Sequence, residues 1–216
     1  MKEVLSSRER LMIAVAGGKP DRVPVIPDFS NMIPAKMTGK PFWEIYMNNN
    51  PSLYRAYCKA AEYYGIDGWY QAHDAVTFRR KNEPVVTRTI TGSGGGRMVE
   101  RFTFTTPAGD LWEEHTYLEA DPPTKTVKMV KNLPEDFPRI KYFFGEIESY
   151  DASLVQEYRS LCGEKGIFTL GLGYPGMQYW VDFFDGNLQS AIYAYYDYPE
   201  IFDEWADLAE KDFVKQ

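Results

Sequence analysis

The sequence predicts an α/β chain in which short apolar strands alternate with amphipathic helices, with one block of antiparallel β-meander inserted between them. Three observations predict it. Apolar residues recur at spacings of three and four over 53–64, 154–162 and 201–213, the period of a helix buried along one face. Short apolar runs at 23–26, 66–73 and 167–172 alternate with these helices and are too brief to be helices themselves. Between them, 84–130 is rich in Val, Thr, Phe and Tyr and is punctuated by glycine turns, which is a meander pattern.

Taken in order, Ser6 and Glu9 form a capping-box pattern that opens a helix through about residue 16, within an N-terminal segment 1–20. Leu11, Met12 and Val15 are expected on its buried face, and Gly17-Gly18 stops it. Residues 21–28 read as a first strand: Val23, Val25 and Ile26 are broken by Pro24 and Pro27, which bars them from the middle of an antiparallel ladder. A loop runs to residue 39, and Pro41 opens a short turn containing Phe42, Trp43, Ile45 and Tyr46. Asn50-Pro51 starts the helix that carries Leu53, Tyr54, Tyr57, Ala60, Ala61 and Tyr64, and Gly65 caps it. A second strand over 66–73 completes a strand–helix–strand unit, whose strands are expected to be parallel. The meander insertion 84–130 turns at 92–96 and 107–110 and ends at 133–136. A helix over 151–161 stopped by Gly163, a strand over 167–172, a loop over 173–176 and an aromatic helix over 177–184 follow. Helices over 188–196 and from 199 to the end complete the chain.

Polar residues stand after the strands, Asp28, Ser30 and Asn31 after the first, His73 and Asp74 after the second, and in a (β/α)8 barrel that end is where chemistry is built. About three parallel strands are predicted where a closed barrel has eight, and the last helix carries an apolar stripe through Phe213. The expectation is therefore the N-terminal portion of a TIM (β/α)8 barrel with an inserted antiparallel β-meander, and a small open α/β domain is the alternative. Self-association of exposed strand edges follows from it.

Composition narrows the classes of function. A net charge of −7 without a basic stretch argues against nucleic acid, and no apolar run approaches a bilayer span, so a cytoplasmic location is expected. Cys58 and Cys162 lack C-x-x-C spacing and read as buried free thiols. The glycines at 92–96 have neither phosphate-loop nor GxGxxG spacing and read as a hairpin turn. His115 reads as a surface strand residue, and Glu113, Glu114, Asp203, Glu204 and Asp207 as solvated faces.

The phrase Gly18-Lys19-Pro20-Asp21-Arg22-Val23-Pro24-Val25, after a helix beginning Ser7-Arg8-Glu9-Arg10-Leu11, resembles the opening of the uroporphyrinogen decarboxylase superfamily. Tyr64-Gly65-Ile66-Asp67-Gly68, Thr106-Pro107-Ala108-Gly109-Asp110-Leu111 and Asp197-Tyr198-Pro199-Glu200 extend the resemblance over essentially the whole chain. It implies a TIM barrel and two competing chemistries. In the decarboxylases an aspartate after the second strand holds the pyrrole nitrogens; Asp74 matches it in position, and Tyr179 resembles a pocket tyrosine. The arginines that bind the substrate's acidic groups have no match, since 27–40 contains only Lys36 and Lys40. The corrinoid-dependent methyltransferases, whose meander and Thr-Pro-x-Gly turn look closer, move a methyl group to or from a corrinoid carried by a partner protein, often to a zinc-activated thiol. Their His-x-Cys and later Cys ligands have no counterpart at His73-Asp74-Ala75 or His115-Thr116-Tyr117, so zinc, if used, is expected from residues outside this sequence. The resemblance thus implies Asp74, His73 and Tyr179 as catalytic candidates, Asp28, Asn31 and Gln178 as substrate-binding ones, and no metal ligand or cofactor held by this chain alone. A non-catalytic binding piece is the reading from a different class.

Overall fold

The computed structural model describes residues 4–28, 31–171 and 176–215. Its elements are mixed α/β. In chain order they begin with α1 (Ser7–Val15), α2 (Met32–Met37), α3 (Phe42–Tyr46), α4 (Leu53–Tyr64), β1 (Gly68–Ala72) and β2 (Thr77–Arg80). The meander follows as β3 (Val85–Gly94), β4 (Arg97–Thr106), β5 (Gly109–Leu118) and β6 (Thr124–Val127). Then come α5 (Leu133–Ile140), β7 (Ile147–Asp151), α6 (Ser153–Cys162), β8 (Gly166–Leu170), α7 (Met177–Phe183), α8 (Asn187–Asp197) and α9 (Pro199–Lys215). The chain divides into two compact units: the first is drawn from Met1–Thr77, Leu118–Pro123 and Asp151–Gly171, the second from Phe78–Tyr117, Thr124–Tyr150 and Leu172–Gln216. No barrel is closed among the described residues.

In the first unit the parallel pairing expected between 21–28 and 66–73 is not formed; β1 instead pairs in parallel with β8, in register from Gly68↔Gly166 to Ala72↔Leu170. The backbones meet so closely at its start that a Cβ on Gly166 would lie 1.9 Å from the Gly68 carbonyl oxygen, so only glycine fits. Helix α4 is opened by Ser52, whose hydroxyl accepts from the Arg55 amide, and is closed by Gly65 at φ 63°. It buries Tyr54, Cys58, Ala60 and Ala61 with Tyr70 and Ala72 of β1 and Tyr158 and Cys162 of α6 in one cluster.

Residues 23–26 form no strand, contrary to the sequence expectation, and Val23 is 81% exposed. Pro24 and Pro27 have no amide hydrogen to give a ladder, and Val25 is held by residue 67: its carbonyl accepts the Asp67 amide at 3.0 Å and its amide donates to the Asp67 carboxylate at 2.8 Å. Helix α1 has the capping box that Ser6 and Glu9 predicted. Its buried face is different, however: Met12 and Val15 are exposed, and Arg10 is buried beside Leu11.

Arg10 is buried because it is fully paired. Its guanidinium donates to Asp21 at 2.7 and 3.1 Å, to Asp67 at 2.6 Å and to the Leu5 carbonyl at 2.8 Å, and Arg22 reaches Asp67 at 2.6 Å. The Arg10 hydrogen bonds hold the Asp21 carboxyl well below the usual carboxylate range. Burial pushes Asp67 up, but the Val25 amide and the Arg22 and Arg10 guanidinium groups outweigh it, and its carboxyl also ends low. Depressed carboxyls contribute stability that is complete above their unfolded values and lost as pH falls through the folded ones. The melting temperature should therefore hold down to about pH 5 and fall steeply below about pH 4. An unchanged melting temperature at about pH 3 would contradict this assignment.

In the second unit the meander is a four-stranded sheet in the order β3-β4-β5-β6, as its turn spacing predicts. Gly95 and Gly96, at φ 59° and 72°, make the two-residue turn between β3 and β4, conformations that glycine adopts without strain. The apolar core gathers Leu111, Val130, Leu133, Phe137, Ile140, Phe184, Phe202 and Trp205. Helices α2 and α5 arise where a loop and a terminator were expected, and prolines explain the misreading. Pro34 sits in the first turn of α2, where no intrahelical donor is lost. α5 accommodates Pro138 because Leu133, Phe137 and Ile140 bury along one face. Glu113 is also unlike its expectation: it is buried, with His115 Nε2 at 2.8 Å from its carboxylate, and Glu114 accepts from Arg101.

Candidate functional site

Two of the predicted site residues stand at the carboxyl end of the β1–β8 pair. The ladder ends where the Gly171 amide donates to the Ala72 carbonyl at 3.1 Å, and His73 and Asp74 follow β1 directly, both exposed. The His73 imidazole lies against Gly171 so closely that a Cβ there would fall 2.0 Å from its Nδ1. Any larger residue at 171 would displace the ring.

Asp74 is positioned from α6. The Tyr158 hydroxyl donates to Asp74 Oδ2 at 3.0 Å. Tyr158 is itself fixed, being 2% exposed and stacked on Tyr54 at 4.0 Å and 11°, while the Tyr54 hydroxyl donates to the Tyr158 carbonyl at 2.8 Å. Burial first, and then the neighbouring Asp74 carboxylate, push the Tyr158 phenol up, so it remains a donor at neutral pH. The result is an exposed carboxylate with one oxygen held by a rigid phenol and, one residue earlier in the chain, an imidazole seated on a glycine. Each can accept a hydrogen bond or a proton from a bound molecule. Tyr158 and Gly171 were not legible as site residues, since Tyr158 reads as one more member of an apolar helical stripe.

The remaining candidates are placed as follows. Asp28 is exposed in the same unit, and its charge is among the influences that raise the Tyr57 phenol of α4, where burial is the largest. Asn31 caps α2 by position without a side-chain bond, and its carbonyl accepts from Tyr46. Ser30 and the loop residues 173–175 lie outside the described residues. Tyr179 and Gln178 belong to the second unit. Gln178 is exposed, whereas Tyr179 is packed among aromatic rings, with Trp180 at 4.8 Å and Phe183 at 5.0 Å, and burial pushes its phenol up to about 12.

The described residues do not fit a zinc ion. They contain no group of three or more His, Cys, Asp or Glu side chains able to hold a metal. Cys58 and Cys162 are buried free thiols, which burial pushes up to about 12 and about 11. No described helix is long and apolar enough to cross a membrane. No protein-family model matches the chain, and neither a curated protein nor a solved structure matches it.

Proposed function

We infer that the chain is a methyltransferase of the uroporphyrinogen decarboxylase type, moving a methyl group between a small molecule and a corrinoid protein, with chemistry at the carboxyl end of β1 and β8. The barrel in this reading is of the (β/α)8 kind, to which the parallel pair contributes two strands. The observation that carries it is the exposed Asp74 carboxylate fixed by Tyr158. When an acceptor X–H takes a methyl group as CH3+, it releases a proton, and a positioned carboxylate receives it. Tyr158 keeps Asp74 oriented, and His73 offers a second polar contact to the acceptor. No step is assigned to a metal.

With methylcobalamin as donor and thiols or amines as acceptors, the full chain should demethylate the corrinoid, and Asp74→Asn should slow the reaction by about 10²–10⁴-fold. Corrinoid left methylated by the wild-type chain, or an Asp74→Asn rate equal to wild type, would overturn the reading. The same carboxylate also favours a second reading, since an exposed acceptor at a strand end is what pyrrole N–H groups need in cofactor-free decarboxylation. Conversion of uroporphyrinogen to coproporphyrinogen would select it.

A further inference from the structure

We propose that β3 is a self-pairing edge through which two copies of this chain form an antiparallel dimer; this is independent of the methyl-transfer reading. β3 is the terminal strand of the meander sheet, and among the described residues its only sheet neighbour is β4. Val85–Ile90 is exposed throughout, with Val85 at 67%, Val86 at 51% and Ile90 at 48%. Edge strands are ordinarily protected by proline, charged side chains or bulges. Residues 85–94 contain neither proline nor lysine, and their one charge, Arg88, is ion-paired with the buried Glu100. The β3–β4 register shifts between Ile90 and Gly92, a bulge that limits regular pairing to the first half of the strand.

The occupant and its register follow from symmetry and charge. A twofold axis perpendicular to the sheet keeps every side chain on its own face, so it must pass beside a residue that meets its own copy. Centring on Arg88 would oppose two guanidinium groups, and centring on Thr89 would draw the bulge into the ladder. Centring on Thr87 places Thr87 against Thr87, Val86 against Arg88 and Val85 against Thr89, all within the regular stretch. The charge of Arg88 is already neutralised by Glu100 at 2.7 and 2.9 Å, so the copy brings no unpaired charge into the edge. A second copy is therefore a complementary partner for this edge.

Sedimentation velocity of the full chain from about 10 µM to about 1 mM should show a reversible monomer–dimer equilibrium. Thr87→Lys, at an exposed position, should raise the dissociation constant by at least about tenfold with an unchanged far-UV spectrum, because two lysines then meet on the axis. Thr87→Cys should cross-link to its own copy on mild oxidation much faster than Thr89→Cys. A wild-type monomer at every concentration, a Thr87→Lys dimer as tight as wild type, or equal cross-linking of the two cysteine variants would each overturn the proposal. Should Thr87→Lys fail to fold, the cross-linking comparison decides alone.

Discussion

Replacing Trp205 by alanine is expected to destabilise the second unit by about 3–5 kcal/mol, the largest effect of any single truncation in that core. Trp205 is 0% exposed and lies within ring contact of Phe137, Tyr179, Trp180, Phe183, Phe184 and Phe202, with centroids 5.3–6.4 Å apart. No small set of rotamer changes refills a hole bordered by so many planar side chains, so most of the transfer and cavity terms remain uncompensated. Urea unfolding followed by near-UV dichroism should show the midpoint falling sharply, and Trp205→Phe should lose less. A loss below about 1 kcal/mol would mean that the rings do not pack as described.

Arg10→Ala should have the next largest effect, at about 3 kcal/mol. That substitution leaves the Asp67 carboxylate, 0% exposed, without one of its two guanidinium partners and frees Asp21 from the pair that holds it. Arg22 still reaches Asp67 at 2.6 Å, which keeps the loss at the lower end of what breaking a buried pair costs. The distinguishing sign is its pH dependence: the gap between variant and wild type should begin to narrow below about pH 4, where the carboxyls of the unfolded chain take up protons while the folded ones are still ionised. A gap equally wide at pH 7 and in acid would assign the loss to packing of the arginine stem instead.

The elements that were legible in the sequence are those whose evidence is local. Ser6 and Glu9 announce α1 because the capping box closes within four residues, and Gly65 announces the end of α4 because only a left-handed conformation fits there. The meander was legible from its turns. The 21–28 segment was misread because hydrophobicity alone cannot show whether a neighbour exists to take its backbone groups, and here Asp67 takes them. The burial of Arg10 could not be read from helical periodicity, since it depends on carboxylates 11 and 57 residues away. An adjacent Asp21-Arg22 and a lone Asp67 opening an apolar strand were its only local signals. In the candidate site, His73 and Asp74 were legible as polar residues after a strand. The hydroxyl that orients Asp74 comes from 84 residues further along and was not.

The pairing of β1 with β8 also bears on how the molecule acquires its structure. Gly68 meets Gly166, 98 positions later, whereas the widest β3–β4 pair, Val85 with Thr105, spans 20. Closing the longer loop costs about 1.4 kcal/mol more in chain entropy than closing the shorter one. The hairpin can nucleate on its own glycine turn, but the parallel strands must wait until the chain between them has contracted. His73 and Asp74, at the far end of that pair, are therefore expected to come into place after the β3–β4 hairpin.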